Sequence, residues 1–107
     1  MEIASSIDFA EAARLLGRAA RRRGLVAPGF RSPPRVVGAD RTIRRRGGAA
    51  VVSVRVRDRP VPAVLADMIE GIVVANDLVT PDADRVRSEL WGVIVTNNRS
   101  EATRTAA

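Results

Sequence analysis

The stretch AAVVSVRVR, residues 49–57, decides how this chain is read. Val52, Val54 and Val56 alternate with Ser53, Arg55 and Arg57. A period of two puts the valines on one face of an extended strand and the polar side chains on the other. Before it, Gly47-Gly48 offers a turn, and Thr42 to Arg45 reads as a second short strand. Together these predict a β-hairpin with a basic outer face, ended by Arg59-Pro60.

A two-stranded hairpin alone is marginal in water and needs helix cover. The residues that follow supply it. Pro62 suits the first turn of a helix over 62–76. Val64, Leu65, Met68, Ile69, Ile72 and Val73 cover most of its circumference, and Asp67 and Glu70 mark a narrow polar side. A helix this apolar is buried within the fold or at a subunit interface. Thr80-Pro81-Asp82 supplies a cap, a proline and a first-turn acid, so another helix is expected over 81–95. Val86, Leu90 and Val93 form its inner stripe, with Ala83 and Ile94 at the edge. Residues 97–107 are polar and small and are expected to form a flexible tail.

Upstream of the hairpin, Val26 to Asp40 reads as a loop, punctuated by Pro28-Gly29, Ser32-Pro33-Pro34 and Gly38. Before it, Asp8 and Glu11 have the spacing of a capping box that opens a helix over 9–23. Phe9, Ala13, Leu16 and Ala20 line one face; Glu11, Arg14, Arg18, Arg21 and Arg22 occupy the other. Gly24 suits a left-handed C-cap, with Leu25 folding back on the last turn. The expected fold is one α+β domain over residues 1–96. A small antiparallel sheet, a hairpin or three strands, is covered by C-terminal helices, with a basic N-terminal helix beside it.

Within that first helix, Glu11-Ala-Ala-Arg-Leu-Leu-Gly17 resembles the first helix and turn of excisionase-type helix-turn-helix proteins. The resemblance covers seven residues and implies a turn at Gly17 followed by a recognition helix. Arg18 to Gly24 is too short to hold that second helix, so the chain departs from the pattern there. One continuous helix is the expectation, and no DNA-reading residue is carried over.

The charge is unevenly placed. Residues 1–60 carry fourteen Arg against five acids, a net of +9; residues 61–107 carry four Arg against seven acids, a net of −3. These recover the overall +6. A basic half joined to a mildly acidic half implies a surface that holds a polyanion. Arg, Ala, Val and Gly all have GC-rich codons, so genome composition accounts for part of the Arg excess. It accounts less well for the placement.

What is missing narrows the chemistry. The chain has no His, Cys or Lys. The commonest general base is therefore absent, as are thiolate nucleophiles, disulfides, Cys-based zinc sites and Schiff bases. Gly47-Gly48 lacks the Gly-Lys-Ser/Thr ending of a phosphate loop, and Ser5, Ser6, Ser32, Ser53 and Ser88 have no histidine partner. Asp67 and Glu70 share a helix face, but two carboxylates are few for a divalent cation, and pairing with a hairpin Arg is the expected role. No cofactor and no metal are expected.

These readings predict a small non-enzymatic binding protein that contacts nucleic acid through its phosphates. The candidate contacts are Arg14, Arg18, Arg21 and Arg22 on the helix and Arg44, Arg45, Arg46, Arg55 and Arg57 on the hairpin. Both sets also have plainer readings, as a solvated helix face and as protection of an edge strand. No aromatics interleave with these arginines, which argues against stacking on bases. The alternative function is a homodimeric accessory factor that meets an acidic protein surface, with Met68, Ile72 and Trp91 at its interface. No apolar run exceeds four residues, as at Ile72 to Ala75, so no membrane span is expected and the cytoplasm is the default location.

Overall fold

The computed structural model describes residues 3–30, 50–56 and 59–106, with side chains described for 6–30, 52–56 and 59–97. Along the chain these form β1 (Ile3–Asp8), α1 (Phe9–Arg22), β2 (Ala50–Val56), β3 (Arg59–Val61), α2 (Pro62–Ala75) and α3 (Asp82–Ala106). A three-stranded sheet in the order β1-β2-β3 packs with the three helices around one core, an α+β arrangement.

The sheet is mixed, not antiparallel. β1 runs parallel to β2, with Ile3 opposite Ala50 and Asp8 opposite Arg55. β2 and β3 are antiparallel, with Val54 opposite Val61 and Val56 opposite Arg59. The hairpin is thus made by β2 and the strand that follows it. The expected partner, Thr42 to Arg45, lies outside the described residues. β1 escaped the sequence reading because Ile3-Ala-Ser-Ser-Ile-Asp8 has weak strand propensity of its own. Its partner lies 47 positions away and is reached through a helical crossover, which parallel pairing requires. Pro60 sits in β3, an edge strand of the sheet, where a missing N–H is tolerated.

Alternation along β2 holds in part. Val52 and Val54 are fully buried, Val56 is half-buried and Arg55 is exposed, but Ser53 is also buried. With β1 on one side and β3 on the other, β2 is the central strand, so it has little need of edge protection.

α1 is one continuous helix through Gly17, so the turn implied by the helix-turn-helix resemblance does not form. It buries Ala12, Leu16, Ala19 and Ala20, while Phe9 and Ala13 are half-buried at the rim of the stripe. Its end is a Schellman motif: Leu25 N–H donates to the Ala20 carbonyl and Gly24 N–H to the Arg21 carbonyl, both at 3.0 Å, with Gly24 at φ 72°. The capping box does not form. Asp8 ends β1 in extended conformation and makes no side-chain cap, and Glu11 turns to Arg14 instead.

After Gly24 the chain straps α2. Asn76, just past the end of α2, accepts from Val26 N–H at 2.7 Å and donates to the Val26 and Ile72 carbonyls at 2.9 and 2.8 Å. Phe30 reaches Gly71, lying 3.7 Å from where a Cβ would stand. α2 buries all six apolar residues expected of it, with Ala63 as well. α3 buries Ala83, Val86, Leu90, Trp91, Ile94 and Val95. Ile94 therefore belongs to the centre of its stripe, and Val93 is only partly buried. The helix runs to Ala106, past the expected end at Val95. Residues 97–107 contain neither Gly nor Pro, so nothing local stops it. No helix among the described residues is long and apolar enough to cross a membrane.

Candidate nucleic-acid interface

Successive helix residues turn by about 100°, so Arg14, Arg18, Arg21 and Arg22 fall within about 100° of arc on α1. All four are exposed, opposite the stripe that enters the core. They divide by partner. Arg14 is bridged to Glu11, whose carboxyl is held below its ordinary pKa of 4.5, first by the hydrogen bond from Arg14. Arg21 lies back along the helix, its Nη1 3.3 Å from where a Gly17 Cβ would stand. Arg18, Arg21 and Arg22 have no ion pair among the described residues. These three are charges held in water by a rigid helix, free to meet an anion.

Arg23 follows the stripe but turns away from it. Its Nε donates to Glu89 on α3 at 2.5 Å, and its Nη1 donates to the Ala19 carbonyl at 2.8 Å. The pair stands between two open hollows along the α1–α3 seam. One, of about 500 Å³, is lined by Leu15, Arg18, Ala19, Arg22, Arg23, Glu89 and Val93. The other, of about 290 Å³, lies beyond the pair, against Leu25, Leu78, Asp82, Arg85 and Val86. The stripe therefore borders a groove whose floor is apolar and whose α1 side is cationic.

The hairpin arginines do not join this surface as far as the structure describes them. Arg55 shares a sheet face with Ser6 and Ser53, and its Nη2 lies 3.5 Å from Ser6 Oγ. The helices pack on the other face, carried by Ile7, Val52 and Val54. Arg55 and the α1 stripe thus leave the molecule on opposite sides of the sheet. Arg44, Arg45, Arg46 and Arg57 lie outside the described residues.

Other expected sites are used by the fold itself. Met68, Ile72 and Trp91, read from sequence as a dimer interface, are buried in the chain's own core at 3%, 0% and 6% exposure. The apolar face of α2 is spent on β2, α1 and α3. Glu70 is paired, as expected, but with Arg87 of α3 rather than with the hairpin: Nε to Oε1 at 2.7 Å and Nη2 to Oε2 at 3.2 Å. Arg87 also donates to Asp84 at 2.8 Å. Among the described residues no group of three metal-ligating side chains forms.

Sequence reasoning missed Glu89 and Asn76. Each acts on a residue 66 or 50 positions away, and no local signal marks such a partner. No protein-family model matches the chain, and neither a curated protein nor a solved structure matches it.

Proposed function

We propose that this chain is a non-enzymatic cytoplasmic binding protein that holds nucleic acid by its phosphate backbone, using the exposed arginine stripe of α1. The observation that carries this reading is the set Arg18, Arg21 and Arg22, aligned on one helix with no ion pair among the described residues. Arg14 to Arg22 span about 12 Å of helix axis. A duplex presents on the order of seven phosphate charges over that length, so each guanidinium has a phosphate within reach. Arginine meets both phosphates and guanine edges; the sequence-independent charge of the stripe is what favours contact with the backbone.

The test is binding to a 20-base-pair duplex of arbitrary sequence across a salt series. Three to four phosphate contacts give a log–log slope of about −3, a loss on the order of 60-fold between 50 and 200 mM salt. Arg18→Ala and Arg22→Ala should each lower the slope by about 0.9, equally on unrelated sequences. Salt-independent binding, or variants with unchanged slopes, overturns the proposal. Tight binding to an acidic protein with none to duplex assigns the same arginines to a protein partner instead.

A further inference from the structure

Arg23 is the one arginine of the 21–23 run that the fold has claimed. Its partner, Glu89, is the only carboxylate lining the larger hollow, among the described residues, and that hollow is the one Arg18 and Arg22 border. The pair is not buried: the side chains of Arg23 and Glu89 are 32% and 41% exposed. An exposed ion pair of this kind is weak, and an arriving phosphate can compete for it. The Ala19 carbonyl meanwhile accepts from Arg23 Nη1 at 2.8 Å, which keeps the guanidinium beside the hollow that Arg22 also lines.

We propose that Glu89 attenuates the affinity of the α1 surface for phosphate by withholding Arg23 from it. This rests on the reading of α1 as the phosphate-binding element. Glu89 acts in two ways. It occupies the Nε donor of Arg23, and its own negative charge stands in the groove where a phosphate would approach. Without it, Arg23 is one more cation lining the same hollow as Arg18 and Arg22. The chain thus holds a reserve contact, set by a residue on α3, that distinguishes Arg23 from the open stripe.

The test is a double-mutant cycle on duplex binding in the full chain. Glu89→Ala, which removes both the charge and the acceptor for Arg23 Nε, should tighten binding at 50 mM salt and steepen the slope by about 0.9, which adds a further loss of about 3.5-fold by 200 mM. Arg23→Ala alone should change binding little, unlike Arg18→Ala. In the Arg23→Ala background, Glu89→Ala should give a clearly smaller gain, that of removing its charge alone. A gain of the same size without Arg23 means that Glu89 acts only through its charge and overturns the proposal, as does an unchanged slope in Glu89→Ala. Absence of duplex binding by the unaltered chain overturns the reading of α1 itself, a separate outcome. Circular dichroism of each variant checks that the fold is kept.

Discussion

Gly17 within α1 and Gly24 just past its end carry opposite expectations. Gly24 sits at φ 72° with nothing within 4 Å of a built Cβ, so its role is conformational rather than steric. Gly24→Ala should lose about 1–2 kcal/mol in urea unfolding, the cost of the left-handed region for an L residue. Gly17 has ordinary helical backbone and meets only the Arg21 guanidinium, the far end of a flexible side chain. Gly17→Ala should therefore gain up to about 1 kcal/mol of helix propensity while Arg21 shifts outward. If both variants lose stability equally, Arg21 is not free to move. Glu11 adds a pH dependence. Its pKa is lowered in the fold, so its contribution to stability is complete above the ordinary 4.5 and fades as pH falls through the folded value. The stability gap between the unaltered chain and Glu11→Gln should accordingly be wider at pH 6 than at pH 3.

Between elements, polar side chains tie together what the apolar core brings near. Asn76 joins the strap after α1 to the end of α2 with one accepted and two donated hydrogen bonds. Asn76→Ala should cost about 2 kcal/mol in urea unfolding. Asn76→Asp should fare no better, since it keeps the acceptor for Val26 N–H but turns a carboxylate oxygen toward two carbonyls. A neutral Asn76→Ala would mean that packing of Leu25 and Phe30 alone holds the strap. Much at this scale was legible in sequence. The bounds of α1 and α2 match to within a residue, because caps, proline placement and apolar spacing are local properties. β1 was not legible. It has two large apolar residues, Ile3 and Ile7, and becomes a strand by pairing with β2.

For the molecule as a whole, the composition makes its own prediction. With no His, Lys, Cys or Tyr, almost nothing titrates between the carboxylates and arginine apart from a chain terminus. Duplex affinity at fixed ionic strength should therefore vary by no more than about twofold between pH 6 and pH 9. A strong pH dependence over that range would show that binding is not carried by arginine alone. The charge asymmetry along the chain was plain from the sequence, but the described arginines do not form one merged surface. The α1 stripe and Arg55 are separated by the sheet, and Arg23 is diverted to Glu89.

The order of residues by itself determined α1 and α2, the glycine cap, the central valine strand and the absence of any His, Cys or Lys chemistry. These rest on contacts within a few positions or on which side chains exist at all. Tertiary structure alone decided that β1 pairs parallel with β2, that Met68, Ile72 and Trp91 are core, and which of the described arginines face water without an ion pair. Those outcomes depend on residues tens of positions apart, whose meeting is fixed by how the whole apolar surface is buried.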